Sequence, residues 1–132
     1  MEYRSPCPVA SALDVFGDRW TLVVLRTIFA GRRRYGELLQ MPEKIATNVL
    51  ADRLALLERE GLVAARLYQN NPPRHEYALT RKGADLLPVL QAMARWSVEH
   101  IPGRWEPPDW FTNSSPADFL DGAEPPTRQR RR

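Results

Sequence analysis

The sequence predicts a mainly α-helical domain with one small β-hairpin, an α+β fold. Apolar residues recur at helical spacing up to residue 60, which is typical of amphipathic or buried helices. Residues 63–79 then read as two short strands around an Asn-Asn-Pro-Pro turn, and a second long helical pattern follows. Helix, short turn, helix and hairpin is the order of a winged helix-turn-helix.

The bulk composition fits one compact domain with an extension. The chain has 132 residues, is 43% hydrophobic and carries a net charge of +3, which is ordinary for a globular protein and names no partner. Residues 1–8 lack the apolar run of a secretory signal, and the stretch Leu22–Leu25 is too short to span a bilayer. A single cysteine excludes an internal disulfide and suits a reducing compartment, so we expect a cytoplasmic protein.

Two helices are predicted before the helix-turn-helix pair. Residues 9–16 show helical spacing after Pro8, and Gly17 is expected to end that helix. Asp18 can cap the next helix, over residues 20–28. Because the second helix is apolar on most sides, we expect it to be buried.

The predicted helix pair consists of a short helix, Tyr35–Gln40, and a longer one, Thr47–Glu60. Pro42 lies in the break between them. The longer helix carries a single leucine stripe that should face the core: Leu50, Leu54 and Leu57. Gly61 is a natural residue to end it.

The hairpin predicted over Val63–Leu79 would form the wing. Thr80 is expected to cap one long last helix, Arg81–Ile101, which Pro88 should bend. That helix carries two apolar stripes, more than one terminal helix needs to bury in a small domain. The first comprises Leu86, Leu90, Met93 and Ser97, and the second Val89, Met93, Trp96 and His100.

A proline-rich region follows, so we divide the chain into a domain over residues 1–103 and an extension over residues 104–132. The extension shows no helical or strand period, and from Asp121 onward the composition indicates disorder. Its aromatic residues could still pack back on the domain: Trp105, Trp110, Phe111 and Phe119.

The outer face of the Thr47–Glu60 helix, opposite the leucines, is polar and small. It suits entry into a major groove, although it also fits a solvated surface. Cations and amides flank this face on both sides: Arg32-Arg33-Arg34 precedes the short helix Tyr35–Gln40, and Asn70, Asn71 and Arg74 lie on the wing. This arrangement favours double-stranded DNA as a partner. The residues assigned to DNA are Arg32, Arg33, Arg34, Tyr35, Thr47, Asn48, Ala51, Asp52, Arg53, Arg59, Asn70, Asn71, Arg74 and His75.

Other functions are less well supported by the residues. The chain shows no nucleophile–base pair, no glycine-rich phosphate loop and no metal-ligand spacing, so we expect no enzyme, no cofactor and no metal site. A winged-helix module for protein–protein contact remains the alternative. Such a module would more typically expose apolar residues on the outer face of the Thr47–Glu60 helix, where this sequence has polar and small ones.

Several motifs, in order and with matching spacing over residues 7–100, resemble the HxlR-type helix-turn-helix regulators. They include Cys7-Pro8-Val9, Gly17-Asp18-Arg19-Trp20-Thr21-Leu22, Arg34-Tyr35-Gly36-Glu37-Leu38, Ile45-Ala46-Thr47-Asn48-Val49-Leu50-Ala51-Asp52-Arg53-Leu54, Pro72-Pro73-Arg74 and Leu79-Thr80-Arg81-Lys82-Gly83. The resemblance implies a homodimeric bacterial transcription factor whose N- and C-terminal helices form the dimer. Gly36 departs from the expected Ser, which puts one phosphate contact in doubt. The dimer interface would contain Val9, Leu13, Leu90, Met93 and Trp96.

Cys7 has two interpretations. In some members of that family a cysteine at this position senses oxidants or other electrophiles, and a helix N-terminus with Arg4 nearby would favour the thiolate. Plain helix initiation by the Cys-Pro pair is the alternative, and we prefer it. A small-molecule effector is a further option, since Trp20, Tyr68, Tyr77 and Trp96 could line a pocket. Such residues more often belong to a core or a dimer seam.

Overall fold

A computed structural model describes residues 2–120. It confirms a mainly helical fold with one hairpin. In chain order the elements are α1 Pro8–Phe16, α2 Thr21–Phe29, α3 Tyr35–Leu38, α4 Thr47–Arg59, β1 Val63–Asn70, β2 Pro73–Leu79, α5 Arg81–Ala84, α6 Leu87–His100, α7 Asp109–Asn113 and a 3₁₀ helix Pro116–Phe119.

The core forms around α2, which is buried on most sides as its composition predicts. Val24, Leu25, Ile28 and Phe29 are fully buried there. The predicted leucine stripe of α4 packs into the same cluster, with α3, the base of the hairpin and α6 around it. Burying these side chains fixes α4 against the domain, so its opposite face is presented to solvent.

Two polar side chains cap helices where the sequence predicts caps. The Asp18 carboxylate accepts hydrogen bonds from the backbone N–H groups of Trp20 and Thr21, at 2.9 and 3.0 Å, and from the Thr21 hydroxyl. Thr80 Oγ1 accepts from the Gly83 N–H at 3.1 Å. Each bond satisfies a donor that would otherwise lack a partner at a helix start.

Gly61 ends α4, as predicted, with a backbone φ of +76° that L side chains rarely adopt. The Leu62 N–H donates to the Leu57 carbonyl at 2.8 Å, and the Leu62 side chain is buried. The Thr80 hydroxyl donates to the Gly61 carbonyl at 2.5 Å. The wing therefore leaves the end of α4 and returns to the same point.

The wing, here the β1–β2 hairpin, is antiparallel from the pair Val63–Leu79 at its base to Asn70–Pro73 at its tip. Its register shifts between Leu67 and Gln69, so Tyr68 has no paired residue opposite it. The segment before α3 adds a single bridge to the hairpin: Arg34 pairs with Glu76, and the Tyr77 N–H donates to the Arg33 carbonyl at 2.9 Å.

The predicted long last helix is wrong, because the structure has two helices separated at Asp85 and Leu86. Pro88 does not bend a continuous helix but lies in the first turn of α6, where its missing N–H costs no hydrogen bond. Gly83 helps to fix α5, since a Cβ there would lie 2.0 Å from the Leu62 carbonyl oxygen. The chain passes so closely that only glycine fits.

The expectation that no helical structure follows residue 103 is also wrong. The segment Asp109–Asn113 is helical, and Trp110, Phe111 and Phe119 are buried in the core. The Gln91 side-chain amide donates to the carbonyls of Phe111 at 2.8 Å and Ser114 at 3.0 Å, which fastens the segment to α6. Trp105 stays 79% exposed.

The predicted disorder from Asp121 onward lies outside the described residues, and the division of the chain at residue 103 stays a prediction. Among the helices of residues 2–120, none has the length and apolar character needed to cross a membrane.

Candidate nucleic-acid interface

The solvent face of α4 carries the polar set that the sequence predicts. Thr47, Asn48, Ala51, Asp52 and Arg59 are all exposed. Ala46 precedes the helix and its side chain provides no cap for the first N–H groups of α4. Short side chains and open backbone donors together suit close approach to an anionic groove.

Tyr35 joins the start of α3 to the start of α4. Its hydroxyl donates to the Thr47 backbone carbonyl at 2.9 Å. The helix pair is thereby fixed at the end that carries the exposed polar residues.

The same tyrosine borders an open groove of 360 Å³ between α3 and the wing. Gly36, Arg74 and His75 lie around this groove, and the last two are exposed. A Cβ on Gly36 would meet nothing within 4 Å, so glycine here is not required by packing. The start of α4, the start of α3 and the wing therefore form one continuous surface around Tyr35.

Tyr77 forms the inner wall of this groove. Burial raises the pKa of its hydroxyl, and the negative charge of Glu58 adds to the effect. The hydroxyl therefore remains a neutral group at the pH values at which proteins bind DNA.

Arg34 is exposed, but its guanidinium already has partners within the chain. Its Nε lies 3.4 Å from a Glu76 carboxylate oxygen, and its Cζ lies 3.8 Å from the centre of the Tyr68 ring. The backbone N–H groups of Arg33 and Arg34 donate to the Glu37 carboxylate at 3.0 and 3.1 Å. The position of Glu37, three residues after Arg34, is a sequence signal for these backbone hydrogen bonds at the start of α3. No sequence signal indicated that Tyr68 and Glu76 of the wing would contact Arg34.

Arg53 is half-buried on α4. It forms ion pairs with Asp18 at 3.2 Å and with Asp52 at 2.8 Å. Burial alone would raise the pKa of Asp18, but hydrogen bonds from Thr21 and Trp20 and the charge of Arg53 outweigh it and lower that pKa. The contacts of Arg53 suit a residue that fixes α4 to the start of α2, while its assignment to DNA stays a prediction.

The other residues predicted to contact DNA lie around the same surface. Arg32, Asn70 and Asn71 are exposed, and Arg33 is half-buried. Tyr68, Glu76 and Glu37 were not among the predicted site residues, yet they hold Arg34 and its neighbours in place.

A second exposed surface is apolar and lies between α1 and α6. Val9 is 68% exposed, Leu13 51%, Met93 49% and Trp96 60%. Leu90, which the sequence also places at a dimer interface, lies instead in the core of the protomer at 7% exposure. An open groove of 570 Å³ runs between the two helices, bordered by Val9, Leu13, Val89 and Met93; we call it the α1–α6 groove.

Cys7 lies just before α1, and its thiol is exposed and free. Arg4, the cation nearest in sequence, is engaged elsewhere: its Nε lies 2.5 Å from an Asp14 carboxylate oxygen. The backbone N–H and the guanidinium of Arg4 lower the pKa of Asp14. This pairing weakens the sequence-based reason for an activated thiol.

Known proteins match this architecture over most of the chain. Residues 15–104 match the model of the HxlR-like helix-turn-helix family. The uncharacterized HTH-type transcriptional regulator sll1512 of Synechocystis sp. is 40% identical over 87 residues, covering 66% of this chain and 64% of that protein. The chain thus spans less than two thirds of that relative's length.

Solved structures of other proteins are similar to this fold. The crystal structure of PA1607 is 35% identical with a TM-score of 0.69, covering 79% of this chain and 73% of that one. The reduced form of the redox regulator HypR is 31% identical with a TM-score of 0.63, covering 72% of this chain and 94% of that one. With its helix pair, wing and matched residues, the chain belongs to the HxlR-like helix-turn-helix family.

Proposed function

We propose that this protein is a transcriptional regulator that binds double-stranded DNA sequence-specifically as a homodimer. Helix α4 enters the major groove, and the wing lies against the flanking backbone. The observation that carries the proposal is the continuous surface around Tyr35, where the amino end of α4, the start of α3 and the wing meet.

The chemistry of that surface supports a division of roles. Asn48 lies in the first turn of α4, where an amide can read a base edge with both a donor and an acceptor. Arg32 before α3, Arg59 in the last turn of α4 and Arg74 on the wing are exposed cations that can neutralise phosphates. Specificity then comes from α4, and most of the salt-dependent affinity comes from its surroundings.

The apolar residues of α1 and α6 support the homodimer. Large side chains such as Val9, Met93 and Trp96 would be shielded from water if a second copy packed against them. The names of the relatives, which are transcriptional regulators of the helix-turn-helix type, favour DNA as the partner of the other surface.

A protein–protein module is less well supported, because the α4 face presents no large apolar side chain to a partner. Thr47, Asn48, Ala51 and Ala55 are short, and Arg59 is charged. The apolar patch that a protein partner would need lies on the other surface, between α1 and α6.

Cys7 has no sensing role in this function. The similarity to HypR, which is named as a redox regulator, makes the question testable but does not decide it for this chain. A disulfide at the exposed thiol would need a small thiol or a cysteine of another chain, because its own chain has no second cysteine, and Arg4 is paired with Asp14 rather than with this thiol.

Selection from a random-sequence duplex pool, followed by footprinting, tests the proposal. We expect a pseudo-palindromic site with two protected half-sites separated by about one helical turn, ~34 Å, or a multiple of it. Protection of one asymmetric half-site would contradict the homodimer. Failure to enrich any sequence would contradict specific DNA binding.

A further inference from the structure

The guanidinium of Arg34 is enclosed on two sides by the wing. One side faces the ring of Tyr68, with Cζ 3.8 Å from the ring centre, and the other faces the Glu76 carboxylate at 3.4 Å. The two partners lie on different strands of the hairpin, Tyr68 on β1 and Glu76 on β2. One side chain from outside the hairpin therefore contacts both of its strands.

The position of Tyr68 makes this contact possible. The register shift between Leu67 and Gln69 leaves Tyr68 without a residue paired to it across the hairpin. An unpaired residue at a bulge turns the strand locally and redirects its side chain. Here the ring stacks on Arg34, beside the backbone bridge between Arg34 and Glu76.

The wing needs such a support. A two-stranded hairpin is marginally stable by itself, and the outer half of this one is exposed from Arg66 to His75 apart from Gln69. At its base the hairpin is held by buried Val63 and Leu79. Further out, the side-chain contacts of Arg34 join the hairpin to the α2–α3 connection, beside the backbone hydrogen bond from the Tyr77 N–H to the Arg33 carbonyl.

We infer that Arg34 is a positioning residue, which sets the angle of the wing, and that it does not neutralise a DNA phosphate itself. The contacts to Tyr68 and Glu76 use both a face and an edge of the guanidinium, which a lysine could not reproduce. The wing residues Arg74 and His75 then reach the flanking backbone because Arg34 holds the strands that carry them. This inference rests on the proposed function, since it assigns a role within the DNA-binding surface.

Salt dependence distinguishes a positioning residue from a phosphate contact. The logarithm of the DNA affinity falls with the logarithm of salt concentration, with a slope of about −0.9 for each phosphate neutralised. Tyr68 is uncharged. A Tyr68→Ala variant can therefore change this slope only if the tyrosine holds a cation or the wing in place.

The experiment measures this slope for wild type, Arg34→Ala, Tyr68→Ala and the double variant, on the duplex that wild type selects from a random pool. We expect each single variant to lose about tenfold in affinity and about one unit of slope, and the double variant to lose no more than either. Protection of the flanking bases should disappear, while protection under α4 remains. Tyr68→Phe keeps the aromatic face and should restore wild-type values.

Thermal unfolding of each variant shows whether the domain remains folded, and Tyr68→Phe and Arg34→Lys supply comparisons with little loss of volume. Arg34→Lys retains the charge and should behave like Arg34→Ala. If Arg34→Lys keeps the wild-type slope, or if Tyr68→Ala keeps it while Arg34→Ala loses a unit, Arg34 contacts a phosphate and the inference is overturned. In that case the proposed function stands, whereas a wild-type chain that binds no duplex overturns both.

Discussion

The α4 face and the α1–α6 groove are both open to solvent, yet they are chemically opposite. The first presents short polar residues and cations, and the second presents Val9, Leu13, Met93 and Trp96. A hydrated polyanion suits the first surface, and a partner that excludes water suits the second. Exposure by itself therefore does not identify a binding site, because the partner follows from which atoms are exposed.

The largest effect should come from placing a charge in the apolar surface. Trp96→Glu would bury an unpaired carboxylate in the proposed dimer seam, so we expect the proposed dimer to weaken by about 100-fold or more. Operator affinity should fall with it, since each half-site is then bound separately. Sedimentation and DNA titration measure the two losses.

Arg95→Glu is the matched control, because Arg95 is exposed on the same helix but lies off the apolar stripe. It should leave the dimer intact. A Trp96→Glu dimer as stable as wild type would place the seam elsewhere on the molecule.

A smaller and more selective effect is expected on the polar surface. Asn48→Ala should reduce specific affinity by about 1–3 kcal/mol through a lost base contact, and leave binding to random-sequence duplex nearly unchanged. Asn113→Ala, at the end of α7, removes an exposed amide away from this surface and should change neither value. Equal losses on both kinds of duplex would show that Asn48 contacts the backbone instead.

The two surfaces are joined at Asp18, which borders the α1–α6 groove and pairs with Arg53 of α4. Asp18→Ala removes the cap of α2 and should lower the free energy of unfolding by about 0.5–2 kcal/mol near neutral pH. Asp85→Ala, which breaks an exposed pair with Arg81, should cost about 0.5 kcal/mol or less. Denaturant unfolding gives both values.

The effect of Asp18 should depend on pH in a defined direction. The pKa of Asp18 lies below the ordinary value of 3.8. The contribution of its carboxylate to the free energy of unfolding is therefore fully present at pH values above the unfolded-state pKa, and it is lost as the pH falls through the folded-state pKa. The difference in stability between wild type and Asp18→Ala should therefore shrink in acid. A difference that stays constant down to the acid limit would show that the charge of Asp18 contributes nothing.

The smallest effect is expected at Cys7. Operator affinity should be the same for wild type and Cys7→Ser, each with and without diamide, because Arg4, the cation nearest to Cys7 in the sequence, is paired with Asp14. A diamide response that disappears in Cys7→Ser would instead assign this thiol a sensing role at the edge of the apolar surface.

Elements defined by local patterns were predictable from the sequence. The leucine stripe of α4, the Asp18 and Thr80 caps and the hairpin each depend on residues a few positions apart. Helix and strand periods and cap residues report such short-range order directly.

Features that depend on long-range contacts were not predictable. The stripe through Leu86 and Leu90 continues across the break before α6, so its period conceals the start of a new helix. The ion pairs of Arg34 with Glu76 and of Arg53 with Asp18 join segments that are distant in the sequence, and no local pattern indicates them. Trp110, Phe111 and Phe119 of the proline-rich extension pack on the core, and no local period indicates the helices in which they lie.

Phe119 packs edge-on against Phe29, with ring centres 4.9 Å apart, although the two residues are separated by most of the chain. During synthesis the ribosome releases α2 long before it releases Phe119. The part of Phe29 that Phe119 covers must therefore wait until nearly the whole described chain has emerged, although α3, α4 and α6 can pack on α2 earlier. The final packing of this core is consequently a late event, and a nascent chain stalled in the extension would leave Phe29 open to other proteins in the cell.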